Sequence, residues 1–93
     1  MKGVKVKICG ITREEDLAAA VDAGVDAVGF VIGVASSPRN LTLERAKVLM
    51  DLTPVFVDNV AVTVPDNVDT LIKVYGKLRP DAIQIHGEKK PEA

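Results

Sequence analysis

Cys9 is the residue in this sequence best suited to proton transfer. It ends the short run Val4–Cys9, in which side chains alternate, so that Lys7 and Cys9 share one face of a predicted strand and Val6 and Ile8 share the other. An ammonium group near a thiol favours the thiolate, which can act as a general base near neutral pH. Alternatively, Cys9 is a buried cysteine that packs as a small hydrophobic side chain. Its position alone leaves both interpretations open.

Polar side chains also follow two other predicted strands. Arg39 lies in the loop 33–41 after the second strand, where its guanidinium could bind a carboxylate in bidentate fashion or simply be solvated. Gln84 and His86 share one face of the fourth predicted strand. Polar groups in a buried strand need partners, so these two either satisfy each other and the backbone or line a wet pocket.

Several kinds of site and partner do not fit this sequence. With a single Cys and a single His there is no metal-binding cluster, and no GxGxxG or P-loop motif indicates a nucleotide, so we expect no cofactor. The net charge is −1 and aromatic residues make up only 3%, so we expect no nucleic-acid partner.

The same composition also bears on location. No apolar run approaches the roughly 18 residues that a membrane span needs, so we expect no membrane partner. The amino-terminal segment has lysines within its apolar stretch and does not resemble a secretion signal. Together with the lone cysteine, these features predict a protein of the reducing cytoplasm.

Three predicted helices alternate with four predicted strands. The strands are Val4–Cys9, Ala27–Ile32, Val60–Val64 and Ala82–His86. Thr12 with Glu15 fits a capping box and Gly24 a left-handed stop for the first helix, and Thr42 caps the second. Pro65 and Asp66 open the third helix, whose apolar stripe is Val68, Leu71, Ile72 and Tyr75 and whose end is marked by Gly76 and Pro80.

The element order βαβαβαβ predicts an α/β fold with parallel strands joined by right-handed crossovers. An internal repeat, in which Asp26–Phe30 matches Asp81–Ile85, supports this order. Because a (β/α)₈ barrel needs roughly 200 residues or more, residues 1–93 are predicted to form a single incomplete barrel domain, or else a small open sheet. A half barrel has two unpaired edges, so we expect self-association or pairing with a missing carboxyl-terminal half.

Cys9, Arg39 and His86 all fall at the carboxyl ends of strands, the face that carries the active site in barrels. The motifs around them resemble those of phosphoribosylanthranilate isomerases over nearly the whole chain. The most specific is the run from Lys7 to Arg13, KICGITR. The others, in order, are 26–31 (DAVGFV), 37–39 (SPR), a looser version of the third strand at 60–64, and 84–87 (QIHG).

The resemblance implies an Amadori rearrangement of N-(5-phosphoribosyl)anthranilate to 1-(2-carboxyphenylamino)-1-deoxyribulose 5-phosphate in tryptophan biosynthesis, with no cofactor or metal. It implies that Cys9 is the general base, that Arg39 contacts the anthranilate carboxylate, and that Gln84 and His86 lie beside the substrate. We include Lys7 among the substrate-binding candidates because it shares the face of Cys9.

In the family, the general-acid Asp belongs to the fifth strand and the phosphate is held after strands seven and eight. This chain supplies neither, so we expect it to have negligible isomerase activity alone. Two alternatives stay open: a non-catalytic half barrel that associates with itself, and a small-molecule binder that keeps the anthranilate pocket.

Overall fold

The computed structural model describes residues 5–34, 37–64 and 68–85, which form a curved parallel sheet with helices on its convex side. The elements in chain order are β1 (Lys7–Cys9), α1 (Glu14–Asp22), β2 (Ala27–Ile32), β3 (Asn40–Leu41), α2 (Leu43–Leu52), β4 (Asp58–Thr63), α3 (Val68–Leu78) and β5 (Ala82–Ile85).

The strands are ordered β1-β2-β4-β5, and every pairing between them is parallel. This confirms the predicted βαβαβαβ arrangement. The two-residue β3, which was not predicted, pairs with the end of β2 through Val31 and Asn40. It forms because the loop folds back on β2, where the Asn40 side chain accepts a hydrogen bond of 2.6 Å from the backbone N–H of Val34.

The core lies between the convex face of the sheet and the helices. Val28 and Phe30 on β2 are fully buried, as are Ala46 and Leu49 on α2. Burying a large apolar side chain contributes about 1.5–3 kcal/mol, so this contact is a principal source of stability for the described fold. The opposite, concave face of β2 is thereby left to the site.

The internal repeat has a structural basis at the amino-terminal ends of the strands. Asp26 donates its backbone N–H to the carbonyl of Val6 and accepts the N–H of Val6 on its carboxylate, at 2.8 and 2.7 Å. Asp81 makes the same reciprocal pair with Asn59, at 2.9 and 2.7 Å. In each copy the aspartate ties the start of its own strand to a neighbouring strand and so helps to fix the register.

The first helix does not begin as predicted. Its N-cap is Arg13, in extended conformation and without a side-chain capping bond, so the capping box of Thr12 and Glu15 is wrong. Instead, the Arg13 guanidinium hydrogen-bonds Asp16 in the first turn, at 3.1 and 3.2 Å. The predicted stop at Gly24 is confirmed, because this residue has a φ of +86°.

The second helix begins as predicted. Thr42 is its N-cap, and the Thr42 hydroxyl accepts a hydrogen bond of 3.1 Å from the backbone N–H of Arg45. This bond satisfies one of the free donors at the helix start.

The third helix differs from its prediction in two respects. It runs through Gly76 to Leu78, and the left-handed residue after it is Arg79, with a φ of +48°. Among the α3 side chains whose burial the structure describes, Val74 and Leu78 are buried, while Ile72 and Tyr75 of the predicted stripe are 64% and 56% exposed. The helix carries apolar residues on two faces, and packing in the described structure uses only one of them. Pro65 and Asp66, predicted to open it, lie outside the described residues.

Candidate active site

The side chains predicted to carry chemistry on β1 and β5 meet in one cavity on the concave face of the sheet. Its volume is about 480 Å³, and Lys7, Cys9 and Gln84 line it. This confirms that Lys7 and Cys9 point inward, as the alternation along β1 predicts. The remaining lining residues are Val31, Val34, Ser37, Val62 and Val64. A mostly apolar wall with a few convergent polar groups is typical of a small-molecule site.

Lys7 and Gln84 touch across this cavity, because the Lys7 ammonium donates a hydrogen bond to the side-chain oxygen of Gln84. Their strands, β1 and β5, lie at opposite ends of the sheet order, with β2 and β4 between them. In a flat sheet such strands would be roughly 14 Å apart, since neighbours are spaced by about 4.8 Å. The contact therefore requires the sheet to curl, as strands do in a barrel.

Cys9 is exposed and lies outside the hydrophobic core cluster, so it does not pack as a buried hydrophobic residue. Across the described part of the chain, its sulfur makes no hydrogen bond or ion pair. Its neighbour in register on β2 is Gly29. A Cβ atom at Gly29 would lie 2.9 Å from the Cys9 Sγ, so the thiol leans into the space that a side chain on β2 would occupy.

Arg39 reaches the carboxyl end of β1 by lying across Gly10, the residue after Cys9. A Cβ atom at Gly10 would lie 2.5 Å from the Arg39 Cδ and 3.1 Å from its Nε. The Arg39 backbone N–H is held by the Ser37 hydroxyl at 3.1 Å. Within the described ranges, the guanidinium itself has no hydrogen-bond or salt-bridge partner, so its donors are open to an anion. Arg39 sits beside the concave cavity and is not one of its lining residues.

His86, the fifth predicted site residue, lies outside the described residues. The structure therefore brings Lys7, Cys9 and Gln84 together and places Arg39 next to them. Sequence reasoning missed the two glycines, Gly10 and Gly29, which leave room for Arg39 and Cys9. For Gly29 the available signal was a glycine in the middle of an apolar strand, which often marks a close approach by another group.

An ion pair joins the two helices that begin at this end of the sheet. The Arg45 guanidinium on α2 binds both carboxylate oxygens of Glu14 on α1, at 2.6 and 2.7 Å, and the carbonyl of Thr12 at 3.3 Å. The hydrogen bonds from Arg45 to the Glu14 carboxylate, together with one from the Glu14 backbone, lower the pKa of Glu14 from 4.5 to about 2. The segment after Cys9 leads into α1, and the loop with Arg39 leads into α2. The ion pair between these two helices therefore helps to hold Cys9 and Arg39 in place relative to one another.

Other parts of the described structure offer less chemistry. A groove of about 400 Å³ between α1 and α2 is lined mainly by apolar residues such as Leu17, Val21 and Leu52. Among the residues that the structure describes, no three His, Cys, Asp or Glu side chains are grouped so that they could hold a metal ion. No described helix is long and apolar enough to cross a membrane.

Residues 6–93 match the family model for N-(5'-phosphoribosyl)anthranilate isomerase, which is nearly the whole chain. The chain belongs to the phosphoribosylanthranilate isomerase family. A relative of that name from Natronomonas pharaonis is 47% identical over 90 residues, which are 96% of this chain and 43% of the relative.

Solved isomerases of the family have the same fold. The enzyme from Thermotoga maritima superposes with a TM-score of 0.84 at 38% identity, over 95% of this chain and 42% of that one. A second solved isomerase is a complex with reduced 1-(o-carboxyphenylamino)-1-deoxyribulose 5-phosphate. It has a TM-score of 0.84 at 38% identity, and the match covers 95% of this chain and 45% of that one. The chain thus spans about two fifths of the family members it matches, as an amino-terminal half does, and the fold class predicted from the sequence is confirmed.

Proposed function

We propose that this chain supplies the part of a phosphoribosylanthranilate isomerase site that carries the general base and the carboxylate contact. The reaction is the Amadori rearrangement of N-(5-phosphoribosyl)anthranilate to 1-(2-carboxyphenylamino)-1-deoxyribulose 5-phosphate, a step of tryptophan biosynthesis in the cytoplasm. The observation that carries the proposal is the cavity shared by Cys9, Lys7 and Gln84, beside which Arg39 presents an unpaired guanidinium in the described structure. A solved relative holds a reduced form of the same product.

In this proposal the Cys9 thiolate removes the proton from C2 of the ring-opened sugar, and the resulting enolamine becomes the aminoketone. Cys9 fits this role because it is an exposed residue that lines the cavity. Arg39 binds the anthranilate carboxylate through its forked donors, which match a planar carboxylate. Gln84 and Lys7 hold one another across the cavity and offer polar contacts to the sugar.

The full reaction also needs a general acid and a phosphate grip, which the family resemblance assigns to later strands. We therefore propose that residues 1–93 are a single incomplete barrel domain that works with a carboxyl-terminal half and is nearly inactive alone. Losing either group removes a separate contribution to the rate: a positioned general acid is typically worth about 10²–10⁴-fold, and the phosphate contacts hold the substrate in its reactive position.

The test is a steady-state assay of substrate consumption by the chain alone and by the chain mixed with the carboxyl-terminal half of the Thermotoga maritima relative. We expect activity only in the mixture and its loss with Cys9→Ser. Lys47→Ala, which changes an exposed lysine on α2, is the matched control and should retain activity. Rates near those of a complete isomerase from the chain alone, or full activity of Cys9→Ser, would contradict the proposal.

The role of Arg39 is tested by titrating anthranilate against the chain. Arg39→Ala should weaken binding, and Arg39→Lys should restore it only in part, because an ammonium lacks the fork. Arg13→Ala is the control, since Arg13 is paired with Asp16 on the surface of α1. Equal affinity of Arg39→Ala and the unchanged chain would remove Arg39 from the carboxylate site.

A second candidate function is a non-catalytic half barrel that associates with itself. It is favoured by exposed apolar side chains on the two outer strands, where Ile8 on β1 is 39% exposed and Ile85 on β5 is 60% exposed. Such edges invite pairing with another chain. Sedimentation should then show a dimer that Ile85→Lys dissociates, and a stable monomer would count against it.

A further inference from the structure

Gly29 lies in the middle of β2, buried, and the space beside its Cα is filled by one residue. A Cβ atom built there would lie 2.9 Å from the Sγ, 3.3 Å from the Cα and 3.4 Å from the Cβ of Cys9. Apart from Gly29 itself and the two residues next to it in the sequence, these are the three heavy atoms nearest to that Cβ position. Cys9 and Gly29 are also direct partners in the register of β1 and β2. The absent side chain of Gly29 is therefore replaced in space by the thiol of Cys9.

The backbone gives no reason for a glycine at this position. In the described structure the glycines with positive φ are Gly10, Gly24 and Gly33, and Gly29 is not among them. A glycine in the interior of a strand weakens the strand and often marks a close approach by another group. Here the approaching group is the Cys9 side chain, and the main chain could accept an alanine without strain in φ.

We propose that Gly29 is a positioning residue for the Cys9 thiol. Because Gly29 has no side chain, the Cys9 sulfur can lean over β2 toward the concave cavity. A larger side chain at position 29 would push the sulfur toward the open edge of β1. The Gly29 carbonyl adds to this, because it accepts hydrogen bonds from the N–H groups of Gly10 and Ile11 at 2.9 and 3.2 Å and so fixes the turn directly after Cys9. The catalytic importance of this placement rests on the proposed function, whereas the placement itself does not.

Thiol chemistry on the chain itself tests the placement. Cys9 is the one cysteine in the sequence, so a thiol reagent such as 5,5'-dithiobis(2-nitrobenzoate) reports on it alone. Gly29→Ala should change the second-order rate of modification about threefold or more, and alter its pH profile, because the new methyl group displaces the sulfur from the cavity wall and so changes its surroundings. Gly76→Ala is the matched control, since a Cβ at Gly76 on α3 would have no described atom within 4 Å apart from its chain neighbours and the backbone of its own helix. Equal rates for Gly29→Ala and the unchanged chain would overturn the proposal.

A double-mutant cycle of unfolding midpoints, with and without the Cys9 sulfur, tests the proposal where Gly29→Ala destabilises the chain too much for the thiol assay. In a Cys9→Ala background the sulfur is gone, so Gly29→Ala should lower the unfolding midpoint less than it does with Cys9 present. An equal loss in both backgrounds would show that Gly29 serves the fold and not the thiol. Neither measurement uses substrate, so a failed isomerase assay and a failed positioning test are separate results.

Discussion

Asp81→Ala is expected to lower the stability of the chain by removing one of the two aspartates that tie strand starts to their neighbours. The Asp81 carboxylate accepts a hydrogen bond of 2.7 Å from the backbone N–H of Asn59. A hydrogen bond to a charged group contributes about 1.5–3 kcal/mol to stability. Because Asp81 is exposed and water can replace part of this bond, we expect about 1 kcal/mol. For a domain of this size that corresponds to a fall of roughly 4–8 °C in Tm.

Thermal unfolding followed by circular dichroism measures this loss. Asp81→Asn keeps an acceptor oxygen and should recover part of it. Asp22→Ala removes an exposed carboxylate at the end of α1 that has no hydrogen bond in the described structure, and its Tm should stay near that of the unchanged chain. Because the repeat gives Asp26 the same bond in a less exposed place, Asp26→Ala should cost at least as much. Coincident midpoints for Asp81→Ala and Asp22→Ala would refute the reasoning.

Three further predictions concern the end of the sheet that carries the site. Thr42→Ala should cost about 1 kcal/mol in urea unfolding because it removes the cap of α2, and Thr42→Ser should not. Glu14→Gln should lower the free energy of unfolding at neutral pH, because it removes the ion pair with Arg45. Since Arg45 holds the pKa of Glu14 at about 2 in the folded chain, the difference in unfolding free energy between the two chains should be full above pH 4.5 and vanish as the pH falls to about 2. Gly10→Ala should weaken anthranilate binding about as much as Arg39→Ala does, because the new Cβ displaces the Arg39 side chain, and isothermal titration would reveal unchanged affinity if this is wrong.

The sequence predicted most reliably the elements whose signals are local. The apolar run of β2 was assigned to Ala27–Ile32, with the bounds that the structure has, because a short, nearly continuous apolar run is a signal carried by adjacent residues alone. Thr42 and Gly24 were likewise identified because caps and left-handed stops depend on a few adjacent residues. The parallel order then followed from the alternation of these elements.

The errors occurred where a distant partner decides the outcome. The local pattern placed the start of α1 at Thr12, but the N-cap is Arg13. At this helix start Arg45, which is far away in the chain, pairs with Glu14 and donates a hydrogen bond to the Thr12 carbonyl. The short β3 depends on the Asn40 side chain reaching back to the loop, which no local pattern shows.

For the site, alternation along β1 was enough to place Lys7 and Cys9 on the cavity side. The direct bond from Lys7 to Gln84 was not predictable, because it depends on how strongly the sheet curls. The spatial roles of Gly10 and Gly29 were also hidden, since a glycine in a sequence does not say which side chain fills its space.

Exposure of apolar side chains rises from the centre of the sheet toward its edges. Phe30 on β2 is fully buried, whereas Ile8 on β1 and Ile85 on β5 are 39% and 60% exposed, and Ile72 on α3 is 64% exposed. The predicted stripe of α3 was misassigned because Ile72 and Tyr75 lie on an apolar face of the helix that stays largely exposed in the described structure. A structure that covered β5 and that face would bury this apolar surface and, by continuing the curl of the sheet, would enclose the cavity of Cys9. We therefore expect that the structure which covers β5 would both raise the stability of the fold and complete the site.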